Sequence, residues 1–568
     1  MSRKSINRGL GIFAIIALIS MSSVFLISSS NDDFKLVKSL EIYYSLFREL
    51  NLFYVDETNP EKLVENSING MLKELDPYTN YIPESDRDNF NFMTTGEYGG
   101  IGSLIRRNGD YAIIAEPYEG FPAANAGLRS GDTLIAIDGK SMKGLAINQI
   151  SEKLKGKPKT PLTLTIRRYG NPDPIEISLV REKITISNVP YYGMLDNSTG
   201  YIRLSNFTTG AAQETKSALL ELKKNSSLKG IVLDLRGNPG GLLIEAVDVA
   251  NLFIPQGEEI VNTRGRVKQW DQEYLTRFSP IDTSLFVAVL VSRGSASASE
   301  IVAGSMQDLD RAIIVGQRTF GKGLVQTTRE LSYNTRLKVT TAKYYIPSGR
   351  CIQALDYSKR NEDGSVGVIP DSLISEYQTR NGRTVLDGGG IQPDFKTDAG
   401  RFSQISIELI TRNIIFDYAT LYSSRYSSID PVSEFKLSEE EYEEFKKFVL
   451  SREFNYQTRS EESLKELKKT AKREKYYDFA EDEFFALEEK LAHNNDKDLN
   501  NFSDEIIQLI EEEIAVRYYY QKGRVQASIE DDPEVERARE ILNQPELYLN
   551  TLIESAALIH ARSHPAEN

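Results

Sequence analysis

A run of small residues containing three serines is the first feature of this sequence that could carry nucleophilic chemistry. It reads Arg293-Gly-Ser-Ala-Ser-Ala-Ser-Glu-Ile301, follows the apolar run Leu285–Val291, and precedes residues with helical apolar spacing. The apolar run predicts a buried strand, so the serines fall at a strand-to-helix turn. Such a turn exposes a side chain and brings the N–H groups of a helix N-terminus close to it. This suits a nucleophilic serine and its oxyanion, although serine is also a favoured helix cap.

A lysine between two glycines is the candidate base for such a serine. Lys322 lies in Thr319-Phe-Gly-Lys-Gly-Leu-Val-Gln326, just after the apolar run Ala312–Val315. A lysine can act as a base near neutral pH only if its amine is uncharged. Burial favours the uncharged amine because it disfavours the ammonium. Gln326, four residues further on, could hold the amine by a hydrogen bond without adding a negative charge.

A glycine-rich turn after another apolar run could supply an oxyanion hole. The run Gly230–Leu235 leads into Asp234-Leu-Arg-Gly-Asn-Pro-Gly-Gly-Leu-Leu243. Backbone N–H groups of this turn could form half of the hole, and the N–H of Ala298 could form the other half. The sequence after the run has neither a GxGxxG pattern nor a GKS or GKT, and the glycines around Lys322 lack the Walker spacing, so nucleotide binding is not favoured.

The scarcity of histidine restricts which base could serve. The chain has 568 residues, and its three histidines are His493, His560 and His564, so no imidazole lies in the first 492 residues. A base within that part of the chain must therefore be a lysine or a carboxylate. The net charge of −14 argues against nucleic acid binding, which depends on neutralising phosphates. Cys351 is the only cysteine and is expected to be a structural core residue.

The first 30 residues predict export from the cytoplasm. Three basic residues precede the apolar run Leu10–Ile27, as in a signal peptide or signal anchor. No A-x-A-like cleavage site is obvious before Ser28–Ser30, which favours an anchor in the inner membrane. The basic residues before the run and the acidic residues after it place the rest of the chain on the periplasmic side.

Changes in the pattern of apolar, glycine and charged residues divide the remaining sequence into four segments. Residues 31–95 have helical apolar spacing, 96–183 have short strands and glycine turns, 184–400 alternate apolar runs with helical stretches, and 401–568 are charged and helical. The alternation in the third segment predicts an α/β core whose sheet is covered on both faces. The charge runs of the last segment are expected to be solvated helix faces.

The second of these segments resembles a PDZ domain. Tyr98-Gly-Gly-Ile-Gly102 is similar to the loop that binds a terminal carboxylate, and Phe121–Asp132 followed by Ile137–Gly139 resembles the helix and turn of that domain. The resemblance implies that Gly99, Gly100, Ile101 and Gly102 bind a peptide C-terminus with successive N–H groups while the peptide adds as a strand.

The chain as a whole resembles the bacterial C-terminal processing peptidases, also called tail-specific proteases. The match covers residues 35–400 and rests on motifs that occur in the family's order, namely Gly294–Ile301, Gln307-Asp308, Arg311-Ala312, Thr319–Gln326, Tyr345–Gln353 and Gly390–Asp394. The resemblance implies a crotonase-like protease core with an inserted PDZ-like domain.

The same resemblance assigns roles to individual residues. It implies a Ser–Lys dyad of Ser297 and Lys322 with Gln326 in support, and an oxyanion hole formed by Ala298 and Gly241 rather than Gly240. It implies no cofactor and no metal, and substrates that are proteins or peptides with free C-termini. The carboxylates Glu300 and Asp308 are expected to form caps or salt bridges rather than to act in catalysis, and Ser295 and Ser299 are weaker candidates for the nucleophile.

Two other functions compete with this interpretation. A non-catalytic PDZ scaffold that binds protein C-termini would be expected to have lost Ser297 or Lys322, and neither is lost. A histidine-based hydrolase would require His560 or His564 to reach the core. The role of residues 401–568 does not follow from the sequence, and adaptor docking, restriction of substrate access or self-association are hypotheses for them.

Overall fold

The structure is a computed structural model that describes residues 33–553, apart from residues 361–365, 399, 401 and 453. The expected signal segment, residues 1–30, lies outside the described residues. The described chain divides into two units, with a boundary between Tyr81 and Ile82. Within the described part of the chain, no helix has both the length and the apolar character needed to cross a bilayer.

The first unit consists mainly of two helices, α1 (residues 33–53) and α2 (Pro60–Lys73). Helix α2 begins where its sequence predicts, because the side chain of Asn59 accepts a hydrogen bond from the N–H of Lys62 at 3.0 Å and Pro60 occupies the first turn. The short strand β1 (Asn80–Ile82) lies at the boundary between the units.

The second unit begins with helix α3 (Arg87–Thr95) and a β-rich domain that also contains helices α4 (Pro122–Asn125) and α5 (Ile147–Leu154). Strands β3 to β8 form one sheet, and β2 pairs with β9 as the chain enters and leaves the domain. The strands are β2 (Glu97–Gly100), β3 (Ser103–Asn108), β4 (Tyr111–Pro117), β5 (Thr133–Ile137), β6 (Lys140–Ser141), β7 (Pro161–Arg167), β8 (Ile175–Val180) and β9 (Glu182–Thr185).

The α/β core follows, with helices α6 (Ala211–Leu222), α7 (Leu243–Ala250) and α8 (Ala298–Asp308). Its strands are β10 (Tyr191–Met194), β11 (Thr199–Arg203), β12 (Gly230–Asp234), β13 (Glu259–Gly265), β14 (Gln272–Leu275), β15 (Phe286–Val291), β16 (Ile313–Gly316), β17 (Leu324–Glu330), β18 (Arg336–Tyr345), β19 (Leu355–Arg360), β20 (Val366–Val368), β21 (Glu376–Gln378), β22 (Thr384–Leu386) and β23 (Phe395–Lys396).

The main sheet of the core has the order β10-β11-β12-β15-β16-β23. Strands β11, β12, β15, β16 and β23 are parallel, and β10 is an antiparallel edge strand. Every residue of β12 is buried because apolar side chains cover both faces of the sheet. A second sheet places β17, β18, β13 and β14 side by side.

The C-terminal segment is helical, as the sequence predicts. Its helices are α9 (Gln404–Thr411), α10 (Ile414–Arg425), α11 (Glu439–Leu450), α12 (Arg459–Glu474), α13 (Glu481–Leu491), α14 (Asn495–Asn501), α15 (Ser503–Ile529), α16 (Pro533–Leu542) and α17 (Pro545–Thr551). The first helices share a core of their own, whereas α16 and α17 pack against one face of the main sheet. The α/β core, the β-rich domain and the helical extension are thus confirmed.

Candidate active site

One cavity of about 540 Å³ gathers the residues that the sequence assigns to catalysis. It opens between the turn after β12, the N-terminus of α8 and the loop that enters β17. All of the predicted catalytic and oxyanion-hole residues line it, together with the competing Gly240: Ser297, Ala298, Gly240, Gly241, Lys322 and Gln326. These residues lie up to 86 positions apart along the chain, from 240 to 326. The turns after β12 and β15 of the parallel sheet supply the glycines, the serine and Ala298, and the loop after β16 and strand β17 of the second sheet supply Lys322 and Gln326.

Ser297 has a strained backbone at the strand-to-helix turn. Its φ of 57° and ψ of −114° lie outside the regions that non-glycine residues favour, a strain of about 1–3 kcal/mol that recurs at functional sites. Ser295 and Ser299 are fully buried, and their hydroxyls donate to the carbonyls of Leu235 and Asn238 at 2.8 and 2.9 Å. Of the three serines, Ser297 is therefore the one that lines the cavity.

The two glycines of the N-P-G-G turn differ in what their N–H groups do. The N–H of Gly240 donates to the side-chain oxygen of Asn238 at 2.9 Å. The N–H groups of Gly241 and Ala298 donate no hydrogen bond within the described residues. Both border the cavity. This geometry fits an oxyanion hole made by Gly241 and Ala298, the pair that the sequence favours.

A buried carboxylate ties the serine turn to the lysine loop. Glu300 Oε2 accepts hydrogen bonds from the N–H groups of Ser297 and Lys322, both at 2.8 Å. Its Oε1 accepts from the Thr319 hydroxyl at 2.6 Å and from the Gly321 N–H at 2.7 Å. Burial raises the pKa of Glu300, and the four donors oppose that rise. Glu300 therefore holds the backbones of both candidate dyad residues.

The sequence predicts a cap or salt bridge for Glu300 but does not indicate its link to the lysine loop. The signal in the sequence was the Ser-x-x-Glu spacing of a capping box. That spacing accounts for the bond to the Ser297 N–H alone, because the other donors lie 19 or more residues away. Asp308, the other carboxylate considered, forms a buried ion pair with Arg350 at 2.8 Å and is structural.

Gln326 contacts different partners from the one expected. Its side-chain amide donates to the Leu324 carbonyl at 3.1 Å and to the Thr340 hydroxyl at 3.4 Å. The contacts of Gln326 do not include the Lys322 amine, so the expected hydrogen bond between the two side chains is not formed in this structure. The reason is that Thr340 stands opposite Gln326 in the β17–β18 pair and competes for its amide. The lysine loop is held by Tyr344, whose hydroxyl donates to the Lys322 carbonyl.

An ion-pair cluster lies directly before the N-P-G-G turn. The buried Asp234 accepts from Arg203 and Arg236 at 2.6 and 2.7 Å. Although burial opposes ionisation, the two guanidinium groups hold the pKa of Asp234 well below its usual range. Arg236 also contacts Asp532 and Glu534 at 2.7 and 2.8 Å. The start of helix α16 therefore reaches the residue that leads into the candidate oxyanion hole, which sequence reasoning did not foresee.

The candidate peptide-binding loop is divided between a strand and a turn. Gly99 and Gly100 belong to β2 and pair with Lys183 and Glu182 of β9. Ile101 and Gly102 lie between β2 and β3, and their N–H groups donate no hydrogen bond within the described residues. Gly102 has a φ of 72°, and a Cβ there would approach Phe121 Cβ to 2.4 Å. The turn therefore leaves two adjacent N–H groups available to bind a ligand at the start of β3.

His493 and Cys351 do not line this site. His493 contacts Glu461 and Asn455 at 2.7 and 3.0 Å and is absent from the cavity lining, whereas His560 and His564 lie outside the described residues. Burial raises the pKa of the Cys351 thiol, so the thiolate is disfavoured. Among the described residues, no group of histidine, cysteine, aspartate and glutamate side chains has an arrangement that could hold a metal ion.

Three family profiles match the chain. That of peptidase family S41 matches residues 198–373, that of the PDZ domain residues 113–168, and that of the probable PDZ-protease C-terminal helical domain residues 405–542. The first match contains the candidate dyad, the second lies within the β-rich domain, and the third lies within the helical extension.

Curated relatives include a carboxy-terminal-processing protease of Bartonella bacilliformis. It is 36% identical over 379 residues, which cover 66% of this chain and 83% of that protein. A probable CtpA-like serine protease of Staphylococcus aureus (strain MRSA252) is 36% identical over 344 residues, which cover 59% of this chain and 65% of that protein.

Solved structures with similarity include a photosystem II D1 C-terminal processing protease, at 27% identity and a TM-score of 0.34. That match covers 63% of this chain and 92% of the other. The PDZ domain of a carboxy-terminal protease from Vibrio cholerae, solved in complex with a peptide, is 26% identical with a TM-score of 0.15. It covers 16% of this chain and 99% of the other.

The family follows from the Bartonella relative and the profile matches together. A relative at 36% identity that is covered over 83% of its length supports a protease rather than a scaffold. The S41 and PDZ matches confirm the protease core and the inserted PDZ domain. The chain belongs to the carboxy-terminal-processing proteases, PDZ-containing serine proteases of peptidase family S41.

Proposed function

We propose that Ser297 and Lys322 form the catalytic dyad with which this protease cleaves near the C-termini of its substrates. The observation that carries the proposal is the double hydrogen bond from the Ser297 and Lys322 backbones to the single Glu300 carboxylate, beside one shared cavity. That arrangement fixes the serine turn and the lysine loop relative to each other, which a nucleophile and its base require.

The proposed reaction assigns a step to each of these groups. The Lys322 amine takes the proton of the Ser297 hydroxyl as Oγ attacks the scissile carbonyl, and the N–H groups of Gly241 and Ala298 receive the oxyanion. As the peptide C–N bond breaks, the Lys322 ammonium returns the proton to the leaving amine. Water then attacks the acyl-enzyme with Lys322 as base, and the second product leaves with a new carboxylate while Ser297 regains its proton.

We assign recognition of the substrate C-terminus to the turn at the start of β3. The adjacent N–H groups of Ile101 and Gly102 suit a terminal carboxylate, and the edge strand β3 could accept the peptide as a further strand. Gln326 would support the site by fixing the β17–β18 pair through Thr340. Gly99 and Gly100 would act through the β2–β9 pair that presents the turn.

The sequence also leads us to propose where the protein acts. The basic residues and apolar run of the first 30 residues support an anchor in the inner membrane with the catalytic part on the periplasmic side. Docking of an adaptor or a second copy on the C-terminal helices is a further proposal, supported by exposed aromatic side chains such as Phe479 and Phe485.

A serine substitution tests the dyad directly. We expect Ser297→Ala to lower the rate of cleavage of a protein with an unblocked, apolar C-terminus by about 10³-fold or more, because the nucleophile is lost. The measurement is cleavage followed by gel and mass spectrometry, with circular dichroism to confirm folding. Ser299→Ala is the matched control, because that hydroxyl donates to Asn238 and does not line the cavity. Retained cleavage by Ser297→Ala would refute the assignment.

A further inference from the structure

The β17–β18 pair carries a second lysine toward the cavity. In its register, Gln326 stands opposite Thr340, Thr328 opposite Lys338, and Glu330 opposite Arg336. Because alternate residues of a strand share a face, these three pairs lie on one face of the two strands. Gln326, Thr328 and Lys338 line the same cavity as Ser297. Lys338 is therefore one pair, or about 7 Å, further along this face than Gln326.

The surroundings of Lys338 leave its charge unmatched. The Lys338 ammonium forms no hydrogen bond or ion pair within the described part of the chain. The nearest carboxylate on this face, Glu330, is paired with Arg336 at 2.8 Å. Thr328 opposite is uncharged, and the facing residues of α3 that line the cavity include the apolar Phe92 and Met93. Burial lowers the pKa of Lys338, as expected for an amine without an acidic neighbour.

Contacts at the outer end of this face fix its distance from α3. The Arg336 guanidinium lies 5.4 Å from the centre of the Phe90 ring and donates to the Asn91 side chain at 3.2 Å. The cavity beside Lys338 is thereby bounded by the two strands on one side and by α3 on the other. A peptide that reaches Ser297 through this space would pass the Lys338 ammonium and would displace water from it.

We infer that the Lys338 ammonium binds a carboxylate of the substrate, close to the scissile bond, and so determines specificity. This inference rests on the proposed function of Ser297. A charge-assisted hydrogen bond would satisfy a half-buried ammonium that otherwise has no partner within the described residues. The carboxylates of an unmodified polypeptide are acidic side chains and the chain terminus. Lys338 lies about 7 Å, or about two residues of an extended chain, beyond Gln326, and both line the same cavity as Ser297, so we place the carboxylate within a few residues of the cleaved bond.

Matched peptides test this contact. One series carries a single Glu or Gln at each successive position of a neutral peptide of about 14 residues, and mass spectrometry identifies the cleaved bond. At one position near that bond we expect the wild type to prefer Glu over Gln by about tenfold in kcat/KM, mainly through KM, as for a single charged contact. Lys338→Met should reduce this ratio to about one, and Lys338→Arg should retain most of it.

A second series separates the two sources of the carboxylate. Its peptides end at successive positions as free acids or amides, so a preference for the acid that disappears in Lys338→Met identifies the chain terminus as the ligand. Both series include Lys343→Met, because Lys343 lies on the same strand but is exposed and outside the cavity lining. That variant should keep the wild-type ratios.

The outcomes distinguish this inference from the proposed function. A Glu or free-acid preference that survives in Lys338→Met, or the absence of any such preference in the wild type, overturns the role of Lys338. Failure of the wild type to cleave any peptide overturns the proposed function instead. In that event, Kd values of the fluorescein-labelled peptides are measured for Ser297→Ala and for the double variant Ser297→Ala/Lys338→Met. The ratio of Kd values for each matched pair of peptides is compared between the two proteins, so that any contribution of the PDZ domain cancels, as in a double-mutant cycle.

Discussion

The C-terminal extension contacts the rest of the second unit in two places of opposite character. In the core contact, helices α16 and α17 pack on the main sheet. In the PDZ contact, helices α10 and α15 pack on strands β3 and β4 of the PDZ domain. The two places differ in how completely the buried donors of their arginine side chains find acceptors. We expect this difference to decide which contact is permanent.

The core contact pairs its charges and buries apolar surface. Arg236 touches three carboxylates, those of Asp234, Asp532 and Glu534. The Tyr548 hydroxyl lies within hydrogen-bond distance of both the N–H and the carbonyl of Val287, at 3.1 and 3.2 Å. Apolar residues of both helices complete one face of the sheet. The extension is therefore part of the protease core rather than an appendage.

The PDZ contact buries arginine donors that lack acceptors, although Glu513 pairs with Arg517 at 2.9 Å and with Arg524 at 3.2 Å. Arg106 stacks on the Phe416 ring at 3.5 Å, and Arg517 lies over the same ring at 4.5 Å. The Nε and Nη2 atoms of Arg106 are buried and have no acceptor within the described residues. Burial lowers the pKa of Arg106 to about 10. Arg524 reaches Glu116 of the PDZ domain only at 3.5 Å. Because desolvated donors without partners cost free energy, this contact should open more readily than the core contact.

The largest expected effect comes from breaking the core contact at Arg236. Arg236→Met leaves Asp532 and Glu534 without their arginine, and we expect the free energy of unfolding to fall by about 3–5 kcal/mol. Urea denaturation followed by circular dichroism measures it. Arg277→Met is the control, because Arg277 is 54% exposed in its pair with Asp248 and should cost less than about 1 kcal/mol. Equal losses in the two variants would contradict the comparison.

An intermediate effect is expected at Glu512, on α15 between the two contacts. Burial raises the pKa of Glu512 to about 7, despite the opposing charge of Arg524. Between about pH 4.5 and pH 7, Glu512 is therefore largely protonated in the folded protein but largely ionised in the unfolded chain. The free energy of unfolding falls as the pH rises through that window.

Glu512→Gln should remove this pH dependence. We expect the variant to gain about 1–3 kcal/mol in free energy of unfolding at about pH 8 and little at about pH 4.5, as measured by urea denaturation at both values. A gain of the same size at both pH values would mean that ionisation of Glu512 is not the cause.

The smallest effect is expected from the PDZ contact. Arg106→Met keeps a long side chain on Phe416 and removes the buried donors that lack acceptors. We therefore expect the free energy of unfolding to change by less than about 1 kcal/mol, in either direction. The same denaturation assay applies. A loss above about 2 kcal/mol would show that the PDZ contact is held as firmly as the core contact.

The main elements of the core could be predicted because their signals are local. The apolar runs that begin at Gly230, Leu285 and Ala312 became strands β12, β15 and β16, within one or two residues at each end. Continuous β-branched runs of this length are typical of strands buried on both faces. The capping box at Ser438 likewise became the start of α11.

The contacts that join distant segments could not be predicted. Arg236 and Asp532 are 296 residues apart, and nothing in the sequence around either indicates the other. The stacking of Arg106 on Phe416 likewise joins residues that are 310 positions apart in the sequence. The Gln326 hydrogen bond was expected from proximity along the chain, but the strand opposite supplied Thr340 as a competing partner.

The sequence by itself determined the family, the order of the domains, and the identity of a serine and a lysine in the right motifs. Only the tertiary structure decided which of the three serines lines the cavity and which glycine has an N–H to offer. The reason is that the alternatives are already bonded in the folded chain. The hydroxyls of Ser295 and Ser299 donate to the carbonyls of Leu235 and Asn238, which are about 60 residues away, and the Gly240 N–H donates to the Asn238 side chain within the same turn. Residue types fix what chemistry is available, and the hydrogen bonds of the folded chain fix which groups remain to perform it.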